Sequence, residues 1–194
     1  LGNGIEFLGG GKNVLIENCS FNNIFDSGAT FQGGISSDCE VENFTVRNSV
    51  FNKCGLGSFE YWLGSIGTAK NILIENNYME NAGMGIGGTD VRLSGSKEQN
   101  AHIRADGINR TSDFIIKRNY FDNTSESAYL VVLSRKTTEG GEFPVFINNA
   151  YIQGLNKKLM LIKNDGVNTE YIFDDAAYDN LIDTIDNRPI VIYK

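Results

Sequence analysis

Histidine, tryptophan and proline are nearly absent from this chain: one, one and two residues in 194. A single histidine, with no cysteine pair at ligand spacing, excludes the usual zinc centres. The three cysteines, Cys19, Cys39 and Cys54, make no disulfide framework. Cys19 reads as a small buried apolar side chain, and Cys39 and Cys54 can pair. No apolar run approaches the roughly 18 residues that suggest a membrane span. A basic excess is missing as well. The formal net charge of −7 argues against a nucleic-acid partner, which needs a positive footprint. Apolar residues at helical spacing are not sustained over about ten residues until the C-terminal end. There is no leucine-rich signature and no paired-helix pattern.

What the chain has in abundance is one short segment, rewritten. Asn13-Val14-Leu15-Ile16-Glu17-Asn18-Cys19-Ser20-Phe21 returns as Asn43-Phe44-Thr45-Val46-Arg47-Asn48-Ser49-Val50-Phe51 and as Asn71-Ile72-Leu73-Ile74-Glu75-Asn76-Asn77-Tyr78-Met79. A fourth copy starts at Asp113, a fifth at Pro144 and a worn sixth at Glu170, giving steps of 30, 28, 42, 31 and 26 residues. Periods in this range mark solenoids and related arrays. Within each unit, apolar residues alternate (Val14, Ile16; Ile72, Ile74; Phe114, Ile116), a turn follows, and one large apolar residue comes after it. This is the pattern of short strands with one buried face. The turn is rich in Asn, which tolerates left-handed backbone. The position after it is small or Asn (Cys19, Ser49, Asn77, Asn119 and Ala150), which predicts an inward stack bonding from coil to coil.

A third strand completes each unit. The candidates are 29–32, 58–62, 84–88, 129–133 and 159–163, with 4–7 and 190–193 matching the same strand at the two ends. Three short strands per turn, stacked in parallel, make an all-β, right-handed, single-stranded parallel β-helix of about six coils. A short helix over residues 175–185 would cap it. The units resemble the β-helix repeats of the pectate-lyase-like superfamily, which holds pectate lyases, polygalacturonases, alginate lyases and tailspike depolymerases. The resemblance covers most of residues 4–163. It implies a secreted or cell-surface protein that acts on a polysaccharide, with glycan lying along the third-strand sheet. The catalytic signatures of the best-known members are missing: there is no paired Asp with His-Gly, no Arg-x-Pro-x-x-Arg, and no calcium-binding Asp cluster on the central coils.

By size this is a single domain spanning 1–194. It opens inside a coil without a cap, as the C-terminal part of a longer or processed protein would. Between Asn164 and Asn187 lie seven carboxylates and no Lys or Arg, so this segment equals the whole net charge. Residues 164–194 therefore read as an acidic cap that keeps the last sheet edge from pairing with other chains, or as a place for Ca²⁺. No other cofactor is expected.

Candidate chemistry clusters on the third strand and on the long coil. If Phe59 and Tyr61 point in, Glu60 and Trp62 point out. Gln32 takes the matching place one coil earlier, and Gly85 and Gly87 one coil later, leaving a shelf. The long loop 89–110 would lie beside it, carrying Asp90, Arg92, His102, Arg104 and Asp106. Trp62 is a sugar platform or a seal under that loop. Glu60 is a general acid or base, partnered by Asp26, Asp90 or Asp106, or an ordinary strand carboxylate. His102 with Arg104 and Asp106 could abstract a proton beside a uronate carboxylate, or be a solvated surface histidine. The expected catalytic set is Glu60, His102, Arg104 and Asp106, with Gln32, Trp62, Asp90 and Arg92 binding substrate and no metal ligands. A polysaccharide lyase or glycoside hydrolase is one expectation. A non-catalytic glycan-binding or structural module of a cell surface or virion is the other.

Overall fold

The computed structural model describes residues 2–33, 39–84, 100–123, 129–135, 143–153, 158–164, 167–172, 186–187 and 190–193. Its strands come in threes. The first coil holds β1 (Ile5–Leu8), β2 (Gly10–Glu17) and β3 (Ser20–Asn22), and the second β4 (Ser27–Gln32), β5 (Glu40–Arg47) and β6 (Val50–Asn52). The third holds β7 (Gly57–Trp62), β8 (Thr68–Glu75) and β9 (Tyr78–Glu80), and the fourth β10 (Ala101–Asp106), β11 (Thr111–Lys117) and β12 (Tyr120–Asn123). Next come β13 (Tyr129–Arg135), β14 (Val145–Ile147) and β15 (Ala150–Gln153). The last described strands are β16 (Lys158–Asn164), β17 (Val167–Ile172), β18 (Asp186–Asn187) and β19 (Ile190–Tyr193). The first strand of each coil joins sheet A, the second sheet B and the third sheet C, so each strand pairs with its counterpart one coil away. All of these pairings are parallel except β16 with β17. The protein is a parallel β-helix.

Alternation along each strand sends one set of side chains into a shared interior. Phe44, Ile72 and Phe114 stack at one register position of sheet B, and Val46, Ile74 and Ile116 at another; all are buried. Phe31 stacks on Tyr61 with ring centroids 4.8 Å apart, and Phe21 on Phe51 at 4.6 Å. These separations repeat the strand spacing, because like residues sit on like rungs. Each buried ring contributes on the order of 2–3 kcal/mol by leaving water, and it can do so only when the next coil covers it.

Turning three corners in so few residues needs left-handed backbone. Asn13, Asn43, Asn71 and Asp113 have φ of 54–56°, Asn18, Asn48, Asn76, Arg118 and Asn148 have 52–55°, and Asn23, Lys53 and Asn81 have 53–55°. Asn reaches this region more cheaply than most side chains. At the B-to-C corner the expected inward stack is present, except that Asn149 rather than Ala150 holds the place in the fifth coil. The Ser49 amide donates to Asn77 Oδ1 at 3.0 Å, the Asn77 amide to Asn119 Oδ1 at 3.0 Å and the Asn119 amide to Asn149 Oδ1 at 2.9 Å. Each Asn also donates its Nδ2 to a strand carbonyl of the preceding coil, Val46, Ile74 or Ile116. Asp186 ends the row, accepting from the Asn149 amide, Asn149 Nδ2 and the Tyr151 hydroxyl.

Several expectations need correction. The third strand of the long coil is Ala101–Asp106, not 84–88, and Ala101–Arg110 is strand and a single 3-10 turn rather than loop. Residues 190–193 belong to sheet C rather than A, because 186–187 have already supplied that coil's sheet B strand. The sixth repeat does not start at Glu170: Val167–Ile172 folds back antiparallel on β16. Cys39 and Cys54 are both buried free thiols, and burial pushes their pKa values up to about 11 and about 12. The expected capping helix lies outside the described residues.

Candidate functional site

The outer face of sheet A is where the coils stop being alike. One register position runs Thr30, Glu60, Arg104, Val132, and the next outward position runs Gln32, Trp62, Asp106. With β10 in the place assigned by sequence to a glycine strand, the shelf beside Glu60 is occupied by Arg104 and Asp106. The parallel register sets them directly opposite Glu60 and Trp62.

Glu60 is nearly buried, at 8% exposure. Its Oε1 accepts a charge-assisted bond from Arg104 Nη1 at 2.7 Å, and its Oε2 accepts from the Ser27 hydroxyl at 2.5 Å. The carboxylate is therefore clamped from both neighbouring coils. Asp26, Gln32, Leu56, Glu60, Trp62 and Asp106 line one depression of about 250 Å³. Gln32 Nε2 donates to Thr30 Oγ1 at 3.4 Å, and Trp62 is 36% exposed at the edge. Glu60 and Asp106 are diagonal neighbours on adjacent strands. Their Cα atoms lie about 8 Å apart, from a strand spacing of about 4.8 Å and a rise of about 3.3 Å per residue. That is compatible with either carboxyl separation used in glycoside hydrolysis, about 5 Å or about 6.5–9.5 Å.

His102 is not at this site. It was expected in a solvent loop, but it lies in β10 with 1% exposure, its ring 5.9 Å from Phe121 in the interior. Burial pushes its pKa down to about 4, against an opposing hydrogen bond to the Asp122 backbone and the Asp122 charge. Its Nδ1 is buried without a hydrogen-bond partner, as is Ser58 Oγ on β7. The side chains of Arg104 and Asp106, by contrast, face the groove from the same strand. Regular alternation would keep residues 102, 104 and 106 on one face; a break in it, where His102 and its neighbour Ile103 are both buried inward, separates His102 from the other two. Asp90 and Arg92 lie outside the described residues.

Sequence reasoning missed Ser27 because it began that strand at residue 29 rather than 27, and the Glu60–Arg104 pair because it misplaced β10. A signal was available. The sheet A strands end at Gln32, Trp62 and Asp106, each shortly before the next repeat at Asn43, Asn71 and Asp113. The surplus of the long coil therefore had to precede the strand, not follow it.

Among the described residues no group of three or more His, Cys, Asp or Glu could hold a metal ion. The acidic stretch considered for Ca²⁺ lies largely outside them. Among the same residues no helix is long and apolar enough to cross a membrane. No family model matches the chain, and neither does any curated protein or solved structure.

Proposed function

We propose that this β-helix is a polysaccharide-processing protein of the cell exterior, acting as a glycoside hydrolase at the outer face of sheet A. The observation that carries the reading is the meeting of three carboxylates, Asp26, Glu60 and Asp106, with the only tryptophan in one depression. Glycoside hydrolysis needs two carboxyl groups across the scissile bond, and an exposed aromatic face gives a sugar ring an apolar platform. The clamp from Ser27 and Arg104 holds Glu60 in one orientation, which suits a nucleophile or charge stabiliser. Asp106, more exposed, then serves as the proton donor or base. The resemblance of the repeats to pectate-lyase-like β-helices supports the same placement of substrate. Between lyase and hydrolase, the interior position of His102 favours hydrolase, since it removes the base that eliminative cleavage of a uronate would use.

A second reading, glycan binding without turnover, is favoured by the Glu60–Arg104 pair, which occupies the carboxylate that chemistry would need. One experiment separates them. The protein is incubated with neutral, amino-sugar and uronate polysaccharides while reducing ends and unsaturated products are followed. Release of reducing ends without unsaturated product, abolished in Glu60→Gln and Asp106→Asn, is expected for a hydrolase. Binding that depends on Trp62 with no turnover in the unmodified chain selects the second reading. Neither binding nor turnover on any polymer would overturn both.

A further inference from the structure

Along the outer face of sheet A, Glu60, Arg104 and Val132 occupy one register position on three successive coils. Arg104 therefore has a carboxylate on one side and a hydrocarbon on the other. Its Nη1 donates to Glu60 Oε1 at 2.7 Å. Its Nε is buried and finds no acceptor in the protein, since the Val132 side chain offers none. A buried N–H left without an acceptor is rare in folded proteins. Beside it lies a notch of about 10 Å³, lined by Glu60, Tyr61, Arg104, Ala105, Asp106 and Val132. That is room for a single water and too little for a sugar carboxylate. Glu60 and Asp106 also line the depression beside Trp62, so the notch adjoins the place proposed for the sugar.

We propose that this notch holds the hydrolytic water, fixed by Arg104 Nε and shared between Glu60 and Asp106. The inference rests on the glycoside hydrolase reading and supplies its second step. In the first step Asp106 gives a proton to the glycosidic oxygen, a Glu60 oxygen bonds to the anomeric carbon, and the glycosidic C–O bond breaks. In the second step the water gives a proton to Asp106 and its oxygen bonds to the anomeric carbon. The bond from that carbon to Glu60 breaks, leaving its electron pair on the carboxylate. Arg104 Nη1 and the Ser27 hydroxyl, at 2.7 Å and 2.5 Å from Glu60, meet the returning charge. One guanidinium then serves both ends of the step: Nε aims the water and Nη1 receives the leaving carboxylate. A water bordered by both carboxylates suits this course, in which two displacements at one carbon retain its configuration. The inverting course instead sets water and acid on opposite faces of the sugar.

The test starts with a crystal structure of the protein at a resolution that shows ordered water. A water oxygen within about 3.2 Å of both Arg104 Nε and an Asp106 carboxylate oxygen is expected. A different partner at Nε, or none, would overturn the inference whatever the protein cleaves. Two variants then test the role of that water, their folds checked by circular dichroism, on whichever neutral, amino-sugar or uronate polysaccharide the protein cleaves. Arg104→Lys keeps a cation for Glu60 and removes the Nε–H. Val132→Ile fills the notch with a methylene and leaves every charge in place. Each should lower kcat about 100-fold. KM should fall with it, because the glycosyl-enzyme accumulates, seen as a burst and as an adduct on Glu60 by mass spectrometry. The product released by the unmodified chain should keep the anomeric configuration of the substrate, read by NMR. Turnover indifferent to both variants, or inversion, would overturn the proposal and leave the hydrolase reading standing. No turnover on any polymer would overturn that reading and the water's role with it, and the crystallographic water then decides only whether Arg104 holds the notch.

Discussion

Along the corner between sheets B and C, successive coils present Ser49, Asn77, Asn119 and Asn149, each bonded to the next in nearly the same way. Along the outer face of sheet A, one register position carries Thr30, Glu60, Arg104 and Val132. Both rows lie on the same coils and obey the same stacking. The corner is buried, so a polar group there must be satisfied by its own copy one rung away. The face has no such obligation to repeat. What repeats in this molecule builds it, and what departs from the repeat is where a ligand can be recognised.

Breaking the corner should have the largest effect. Asn119→Ala removes the acceptor of the Asn77 amide and one of the two acceptors of Asn77 Nδ2, takes the Asn119 Nδ2 donor from the Ile74 carbonyl, and leaves Asn149 Oδ1 with the backbone amide alone. At about 1–3 kcal/mol for each buried group left unsatisfied, the loss should be about 3 kcal/mol or more by denaturant unfolding. A loss below about 1 kcal/mol would mean that water takes over the corner and that the ladder is not what holds the coils together.

The interior histidine gives a pH-dependent test of nearly the same size. Its folded pKa, pushed down to about 4, lies below the ordinary value of about 6.5. The unfolded chain therefore binds the proton first. Stability contributed by neutral His102 is whole above about pH 6.5 and is lost as pH falls from there towards 4, by up to about 3 kcal/mol. His102→Gln should flatten the unfolding free energy between pH 6.5 and 4.5, a window above most carboxylate titration. An unchanged slope would place the ring in contact with solvent.

On the sheet A face the expected effect on stability is small and the effect on binding is not. Trp62→Ala, at a position 36% exposed, should move the unfolding free energy by less than about 1 kcal/mol. It should weaken glycan binding about tenfold, read by affinity electrophoresis or calorimetry. The opposite result, a large loss of stability with unchanged binding, would make Trp62 a seal. The smallest change sharpens the comparison from the corner side. Lys53 holds a φ of 55° in a row otherwise made by Asn23 and Asn81. Lys53→Asn should raise stability by about 0.5–1 kcal/mol, since Asn adopts that conformation at less cost.

The repeats made the rungs legible before any coordinates. Asn13, Asn43, Asn71 and Asp113 announce the sheet B strands, and the Asn pairs behind them announce the corner, because backbone strain and burial restrict which residues can stand there. The groove was half legible. Glu60, Trp62, Gln32, Arg104 and Asp106 were singled out, and Asp26 and Asp106 were named as partners for Glu60. Gly85 and Gly87 were placed where Arg104 and Asp106 stand, and His102 was grouped with residues from which a break in the alternation of β10, at His102 and Ile103, separates it.

Sequence by itself determined that this chain stacks short strands, where the repeated segments turn, and which of their side chains face inward, since these follow from alternation and left-handed turns within about ten residues. Tertiary structure alone decided which segment fills the sheet A position of the long coil, and hence that Glu60 meets Arg104 across 44 residues of chain. It also decided that the final strands join sheets B and C. The reason is that a strand's partner is chosen by the coil it must cover, far away in sequence, and several segments of this chain have the alternation to serve.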